Sequence, residues 1–369
     1  MVDNVKMKWT RNTGLDLLRV ISIVLIVFGH MQSESILVNI GIKDDVGVFL
    51  FQEILGNGER LAINCFVMVS AWFLVGKEFS GERFLKMWLR VFIVNVFITI
   101  IAVATRIAPL KSVYVMQAFF PIIGRPQWYM CEYLLLLLFA PFISRLMQNV
   151  SRRQHKTILL IGLIFIIFVE TLMVVPTSFS VPLFSEFIWF TYLYLLVGYI
   201  KFYPDSKICR FDGVRGIWLA IVGYFSIVFF FVLGSATDIG IINSAANHFA
   251  ADYAALPGFI CSLGLFLGLK NVGGKENAII RCVARNTGYI YMIHAVPVLW
   301  RFDFKIWEHI FHISYWYEKG LIYFAVPIIL ILVVAAGCII GEVVEKGIKI
   351  ITKGSLCNRV IVWLDGMYI

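Results

Sequence analysis

Three ionisable side chains interrupt an apolar run near the start of the chain: Asp16, Arg19 and His30 in DLLRVISIVLIVFGH. A charge at bilayer depth costs at least about 2.5–3.5 kcal/mol on insertion scales, so each such group needs a partner, water or a function. If the run is helical, Arg19 and His30, eleven residues apart, are three turns plus about 20° apart and about 16 Å along the axis. Asp16 lies about 60° from Arg19. All three therefore share one face. The face carries an ion-pair candidate near one membrane surface and, towards the other, an imidazole suited to moving a proton near neutrality. Two structural readings stand beside this one. Asp16 and Arg19 alone could be a pair that locks the helix in a bundle, and His30 alone a packed histidine. Taken together they point to a polar channel along the helix.

Other polar groups extend the pattern. In RFLKMWLRVFIVN (83–95), Arg83, Lys86 and Arg90 recur at i, i+3 and i+7 and share a face. Arg83 and Lys86 read as surface anchors, whereas Arg90 lies deeper. Guanidinium groups grip phosphate bidentately, so a cationic mouth here suits a phosphorylated ligand. PQWYMCEY (126–133) places Trp128 and Tyr129 in an interfacial aromatic belt, with Glu132 one turn inward. Glu170, Glu186 and Asp252 fall near the same surface and read as rim residues. In INCFVMVSAWFL (63–74), the small pair Ser70-Ala71 reads as helix packing. His294, in the middle of an apolar run, reads as a satisfied buried histidine, with a catalytic role as the alternative. Glu308, His309 and His312 resemble a loose metal cluster, but histidines at this spacing in a loop are ordinarily solvated, and no metal is expected. The seven cysteines, at 65, 131, 209, 261, 282, 338 and 357, form no CxxC and read as packing thiols.

The elements that must position these residues are membrane helices. The 369 residues are 60% hydrophobic and 15% charged, against about 45–50% and 25% in soluble proteins. Continuous rather than alternating apolar runs select helices over a barrel. We expect an all-α polytopic bundle of about ten transmembrane helices, at 14–31, 59–76, 84–106, 129–147, 157–176, 186–203, 215–234, 251–269, 286–301 and 320–345. No loop is long enough for a soluble domain, so one integral membrane domain over 1–369 is expected. The net charge of +9 is no nucleic-acid signal, because its distribution follows topology. With the N-terminus inside, 22 of the 32 basic residues fall in inner segments, among them Lys6, Lys8, Arg11, Lys346 and Lys349. Outer loops 177–185 and 235–250 carry no Lys or Arg. The positive-inside rule therefore puts both termini in the cytoplasm. The first span has no small-x-small cleavage site after it and reads as a retained helix.

The phrase GLDLLRVISIVLIVFGH, with its Arg-x10-His pattern, resembles the opening of the membrane acyltransferase-3 family. NCFVMVSAWFL resembles that family's second-helix motif, KMWLRV its basic third-helix motif, QWYM its Trp-Phe/Tyr-Leu motif and GYIYMIH its late IYxxH segment. The likeness runs in order through the chain. Ala71 stands where glycine is usual, and Lys86 where arginine is common. The resemblance implies transfer of an acyl group, most often acetyl, from cytoplasmic acetyl-CoA to a hydroxyl of a cell-surface glycan. It implies a multi-pass protein of the cytoplasmic membrane of a bacterium, with Arg19 and His30 as the essential pair. On this reading His30 is the general base, with a covalent acyl-histidine as the variant. Arg19, Lys86 and Arg90 hold the donor phosphates, Asp16 orients Arg19, and Trp128 and Glu132 meet the sugar. Acetyl-CoA enters as a substrate, and no permanently bound cofactor is expected. The expected partners are membrane lipids, the donor and a glycan or lipid-linked saccharide; a homo-oligomer is compatible. The residues alone also admit a secondary transporter or glycan flippase, since buried charges mark substrate paths there too, and a scaffold of envelope synthesis. No paired halves with matching broken helices are visible. A scaffold leaves Arg90 and the Arg19–His30 face unexplained.

Overall fold

The computed structural model describes residues 12–125, 127–172, 185–237, 239–296, 299 and 306–368, with the backbone alone at 250 and 251. Lys6, Lys8 and Arg11, the loop over 177–184, and the ends of two expected spans (173–176, 297–298 and 300–301) lie outside the described residues. All regular structure among those residues is helical. The long helices are α1 (Thr13–Ser33), α3 (Gly58–Leu74), α4 (Gly81–Ala104), α6 (Trp128–Asn149), α7 (Arg152–Leu172) and α8 (Glu186–Phe202). They continue as α9 (Val214–Thr237), α11 (Leu256–Leu269), α12 (Ala278–His294) and α13 (Ile322–Ile351). Each overlaps one window read from the sequence. Shorter helices fill the connections: α2 (Val46–Gly56), α5 (Ser112–Phe119), α10 (Gly240–Ala251) and α14 (Ser355–Gly366). These have 8 to 12 residues, too few to register as apolar spans.

Six helices among the described residues, α1, α4, α6, α7, α9 and α13, are long and apolar enough to cross a membrane. The other four are shorter, 17 residues in α3, α8 and α12 and 14 in α11. At 1.5 Å per residue they reach about 21–26 Å, below the ~30 Å hydrocarbon thickness. Polar caps start two of them: Ser185 accepts from the Ile188 amide ahead of α8, and Asn277 from Ile279 and Ile280 ahead of α12.

Contacts at the helix ends sort the bundle into two ends. At one, Asn12 donates to the Lys270 carbonyl, and the Lys201 ammonium donates to the carbonyls of Trp72 and Val75, both at 2.9 Å. There too the Gly76 amide meets Ser144 Oγ at 3.3 Å, and the Gly81 amide meets Asp365 Oδ1 at 2.6 Å. At the other, His30 meets Glu59, and Arg125 meets Glu132 and Glu186. The start of α1 and the end of α14 thus lie at the same end. Between the ends, Trp189 Nε1 donates to Asn64 Oδ1 at 2.8 Å and Asn64 Nδ2 to the Tyr253 carbonyl at 2.7 Å, so Asn64 ties α3 to α8 and to the lead-in of α11.

Helices α9 and α11 cross where small residues let two backbones touch. A methyl group on Gly264 would sit 2.5 Å from the Ala220 nitrogen and 2.7 Å from the Gly216 carbonyl oxygen. Neither backbone can yield without parting the pair. Gly264→Val should therefore destabilise the protein by about 1–3 kcal/mol. The measurement is its thermal unfolding midpoint in detergent, and an unchanged midpoint would contradict the crossing.

Candidate active site

Asn12 starts α1 by accepting the Leu15 amide at 2.9 Å, which satisfies one of the free amides of the first turn. From that cap the helix turns Asp16, Arg19, Ile26 and His30 towards α3 and α12, and all four line one cavity of about 750 Å³. The face read from the sequence is thus the wall of a single internal space. Arg19 Nη1 stands 3.6 Å from Asp16 Oδ1, and its guanidinium lies over the Phe73 ring, 5.3 Å from the centroid. This cation–π contact helps fix the group against α3.

The Asn12 end of the cavity is charged. Besides Arg19, it is lined by Lys77, Arg90, Arg285 and Lys349, with Asp16, Glu342 and Glu345 among them. Arg90 Nε contacts Glu345 Oε1 at 2.6 Å, and the Tyr289 hydroxyl donates to the same oxygen at 2.8 Å. Arg285 pairs with Glu342, which also accepts from Asn286 Nδ2 at 3.3 Å. Lys77 is carried by the tight turn after α3, where Gly76 takes a φ of +79°, a conformation glycine adopts without steric cost.

The middle of the cavity is apolar and aromatic: Ile26, Ile63, Phe66, Tyr129, Met130 and Tyr291 contribute to its walls. Gly288 widens it, since a methyl group there would meet only the end of Met130, at 3.4 Å. Ser70 also lines the cavity, while Ala71 is fully buried. The pair read as packing is therefore split between packing and cavity wall.

At the far end His30 Nε2 stands 3.6 Å from Glu59 Oε1, and Arg60 Nε stands 3.9 Å from the same oxygen. Both His30 and Glu59 line the cavity. Glu59 comes this close because residue 29 is glycine. A methyl group there would lie 2.6 Å from Glu59 Cβ and 2.9 Å from its Oε2. The ring of His294 packs behind His30, 5.0 Å between centroids, and its Nδ1 donates to the Ile290 carbonyl at 2.6 Å. His294 is thus the buried, hydrogen-bonded histidine the sequence suggested, and it supports His30 from behind. Tyr291 stands 6.2 Å from His30 and 5.8 Å from Tyr129, ring to ring. Just past α1, Glu34 is half-buried, and loss of solvent pushes its carboxyl up to about 8.

The structure brings Asp16, Arg19, His30, Arg90 and Trp128 to this cavity. It does not bring Lys86 or Glu132. Lys86 Nζ pairs with Glu82 Oε1 at 2.5 Å, one turn back along α4, and lies outside the lining. An i,i+4 carboxylate draws it along its own helix rather than inward. Glu132 Oε1 is held by Arg125 Nη2 at 3.0 Å and also stays out of the lining. The cations that join Arg19 and Arg90 at the mouth are Lys77, Arg285 and Lys349, which belong to the inner-segment basic charge and had not been singled out. Glu59 had not been singled out, because it stands at the edge of an apolar window. Its signal is the Gly29-His30 pair, where a residue without a side chain precedes a buried imidazole. Glu308 is occupied by the Ile36 amide at 2.9 Å and by the amide and hydroxyl of Ser314 at 2.9 and 2.7 Å. It clamps the loop after α1 to the segment before α13.

A family model described as an acyltransferase domain matches residues 12–343, which contain every cavity residue except Glu345 and Lys349. No curated protein and no solved structure matches the chain.

Proposed function

The chain belongs to the acyltransferase-3 family, and from that premise we propose that it is an integral membrane O-acetyltransferase carrying acetyl from cytoplasmic acetyl-CoA to a hydroxyl of a cell-surface glycan. The observation that carries the proposal is that Arg19 and His30 line one continuous cavity, charged at one end and holding an imidazole–carboxylate pair at the other. The protein crosses the cytoplasmic membrane of a bacterium ten times, with the Asn12 end of the bundle in the cytoplasm. The phosphates of the donor rest among Arg19, Arg90, Lys77 and Lys349, and its pantetheine arm runs up the apolar middle. The thioester then meets His30, and the acceptor approaches from the Trp128 side.

The chemistry balances with these groups alone. The imidazole of His30 takes the proton of the sugar hydroxyl as its oxygen attacks the thioester carbonyl. A C–O bond forms and the C–S bond breaks. The proton passes from the imidazolium to the departing thiolate. Glu59 faces the imidazole and favours the cationic form at the moment it exists, as the acid of a hydrolytic triad does. Asp16 orients Arg19.

The direct test is transfer of radiolabel from acetyl-CoA to a lipid-linked glycan in membranes containing the protein. Label that reaches the glycan supports an enzyme, and glycan that crosses the membrane unlabelled supports a flippase instead. Arg19→Ala should raise the KM for acetyl-CoA about ten- to a hundredfold, since a hydrogen bond to a charged group contributes about 1.5–3 kcal/mol. Its kcat should stay close to that of the unaltered protein. An unchanged KM would remove Arg19 from the donor site.

A further inference from the structure

The family match ends at residue 343, and the structure continues through the last turns of α13 into α14. One side of α14 is docked. Leu364 is buried, the Gly81 amide donates to Asp365 Oδ1 at 2.6 Å, and a methyl group on Gly81 would meet the Ile361 carbonyl oxygen at 2.8 Å. Beyond the helix, Tyr368 stacks on Phe79 with 3.8 Å between centroids and donates to the Leu138 carbonyl at 2.9 Å. Helical spacing turns Leu356, Arg359, Val362 and Trp363 to the opposite side. On that side Leu356, Val362 and Trp363 are 73%, 72% and 65% exposed. A face turned to water would not ordinarily collect a leucine, a valine and a tryptophan on so short a helix.

We propose that α14 is a membrane-surface helix whose outward face, Leu356, Val362 and Trp363 with Arg359 among them, seats in the headgroup layer of an anionic phospholipid leaflet. Two observations choose this occupant. The first is charge. Arg359 on the face, Lys353 in the turn leading into it and Lys346 near the end of α13 are all exposed, while Glu342 and Glu345 are turned to Arg285 and Arg90 and Asp365 to the Gly81 amide. The basic excess thus faces outward, which suits an acidic lipid surface. The second is continuity. Tyr368 reaches the flank of α6 beside Phe142, 5.3 Å away, where Phe139, Phe142 and Leu146 are exposed. An exposed apolar flank on a helix apolar enough to cross a membrane faces lipid. The end of α14 therefore lies at the rim of the lipid-facing side, the depth at which tryptophan and arginine settle. The proposal rests on the chain spanning a membrane and not on the reaction it catalyses.

The test uses the full chain in vesicles of phosphatidylcholine, with or without phosphatidylglycerol, each doped with a phospholipid bearing a diazirine high in its acyl chain. After irradiation, lipid adducts are mapped on peptides. Adducts are expected on 355–367, several-fold more abundant when phosphatidylglycerol is present. K353Q/R359Q should abolish that lipid dependence. Trp218 and Phe225, exposed on α9, supply the internal standard for lipid contact. Labelled α9 with unlabelled α14 would overturn the proposal. A basic double variant that keeps the full phosphatidylglycerol response would overturn the choice of an anionic surface. Acyl transfer is assayed on the same vesicles, so either idea can fail while the other stands.

Discussion

Replacing His30 by alanine should lower kcat for acyl transfer about 10²- to 10⁴-fold, the usual contribution of a positioned general base. The donor KM should change little, because the groups assigned to the donor phosphates lie at the other end of the cavity, about 16 Å along α1 by its 1.5 Å rise. His30 is buried, 8% exposed, and packs on His294, so the alanine variant leaves a void. His30→Asn keeps a polar side chain in most of that volume without the basicity and should be equally slow. Thermal unfolding in detergent separates a folded, inactive variant from one that has lost its structure. Full transfer by a folded His30→Asn protein would remove the proposed base.

The second large effect is expected at Glu59. Glu59→Gln keeps the shape of the side chain and removes the charge that faces His30 at 3.6 Å. Loss of the carboxylate from a triad costs about 10⁴-fold at most in the best-known case, and about 10²- to 10⁴-fold in kcat is expected here, again with the donor KM unchanged. A purely structural carboxylate would behave differently, since glutamine can make the same contacts and would restore activity. Gly29→Ala approaches the same point from the other helix. The added methyl group must displace Glu59, whose Cβ it would meet at 2.6 Å. Activity should fall in the same direction although neither charged group has been altered. If Glu59→Gln transfers at the normal rate, the carboxylate has no part in the chemistry.

The sequence made the first helix legible in detail because helix geometry is regular and polar groups in an apolar run stand out. Asp16, Arg19 and His30 could be placed on one face by counting, and the cavity runs along that face. Arg90 was legible for the same reason, being flanked on both sides by apolar residues. Lys86 was not. Its pairing with Glu82 on the same helix competes with the cavity, and counting cannot rank the two. The Glu59–His30 contact joins two helices, and the packing that sets it depends on Gly29. Periodicity within one helix carries no information about which residue of another will face it. The short helices α2, α5, α10 and α14 escaped because the test for a span is length, and their apolar residues are too few to fill one. Lys77 and Lys349 did not stand out because a basic residue at the end of a span has the same sequence whether it faces lipid headgroups or a cavity mouth.

Three of the cations at the cavity mouth already have acidic neighbours: Arg90 has Glu345, Arg285 has Glu342, and Arg19 has Asp16. An incoming polyanion must therefore exchange with carboxylates rather than fill an empty positive well. Each guanidinium recovers its own acid when the ligand departs, so part of the attraction is returned on release. Such a mouth trades grip for turnover. On the proposed reaction, a spent donor with the same phosphates as the loaded one would otherwise linger and block the next cycle.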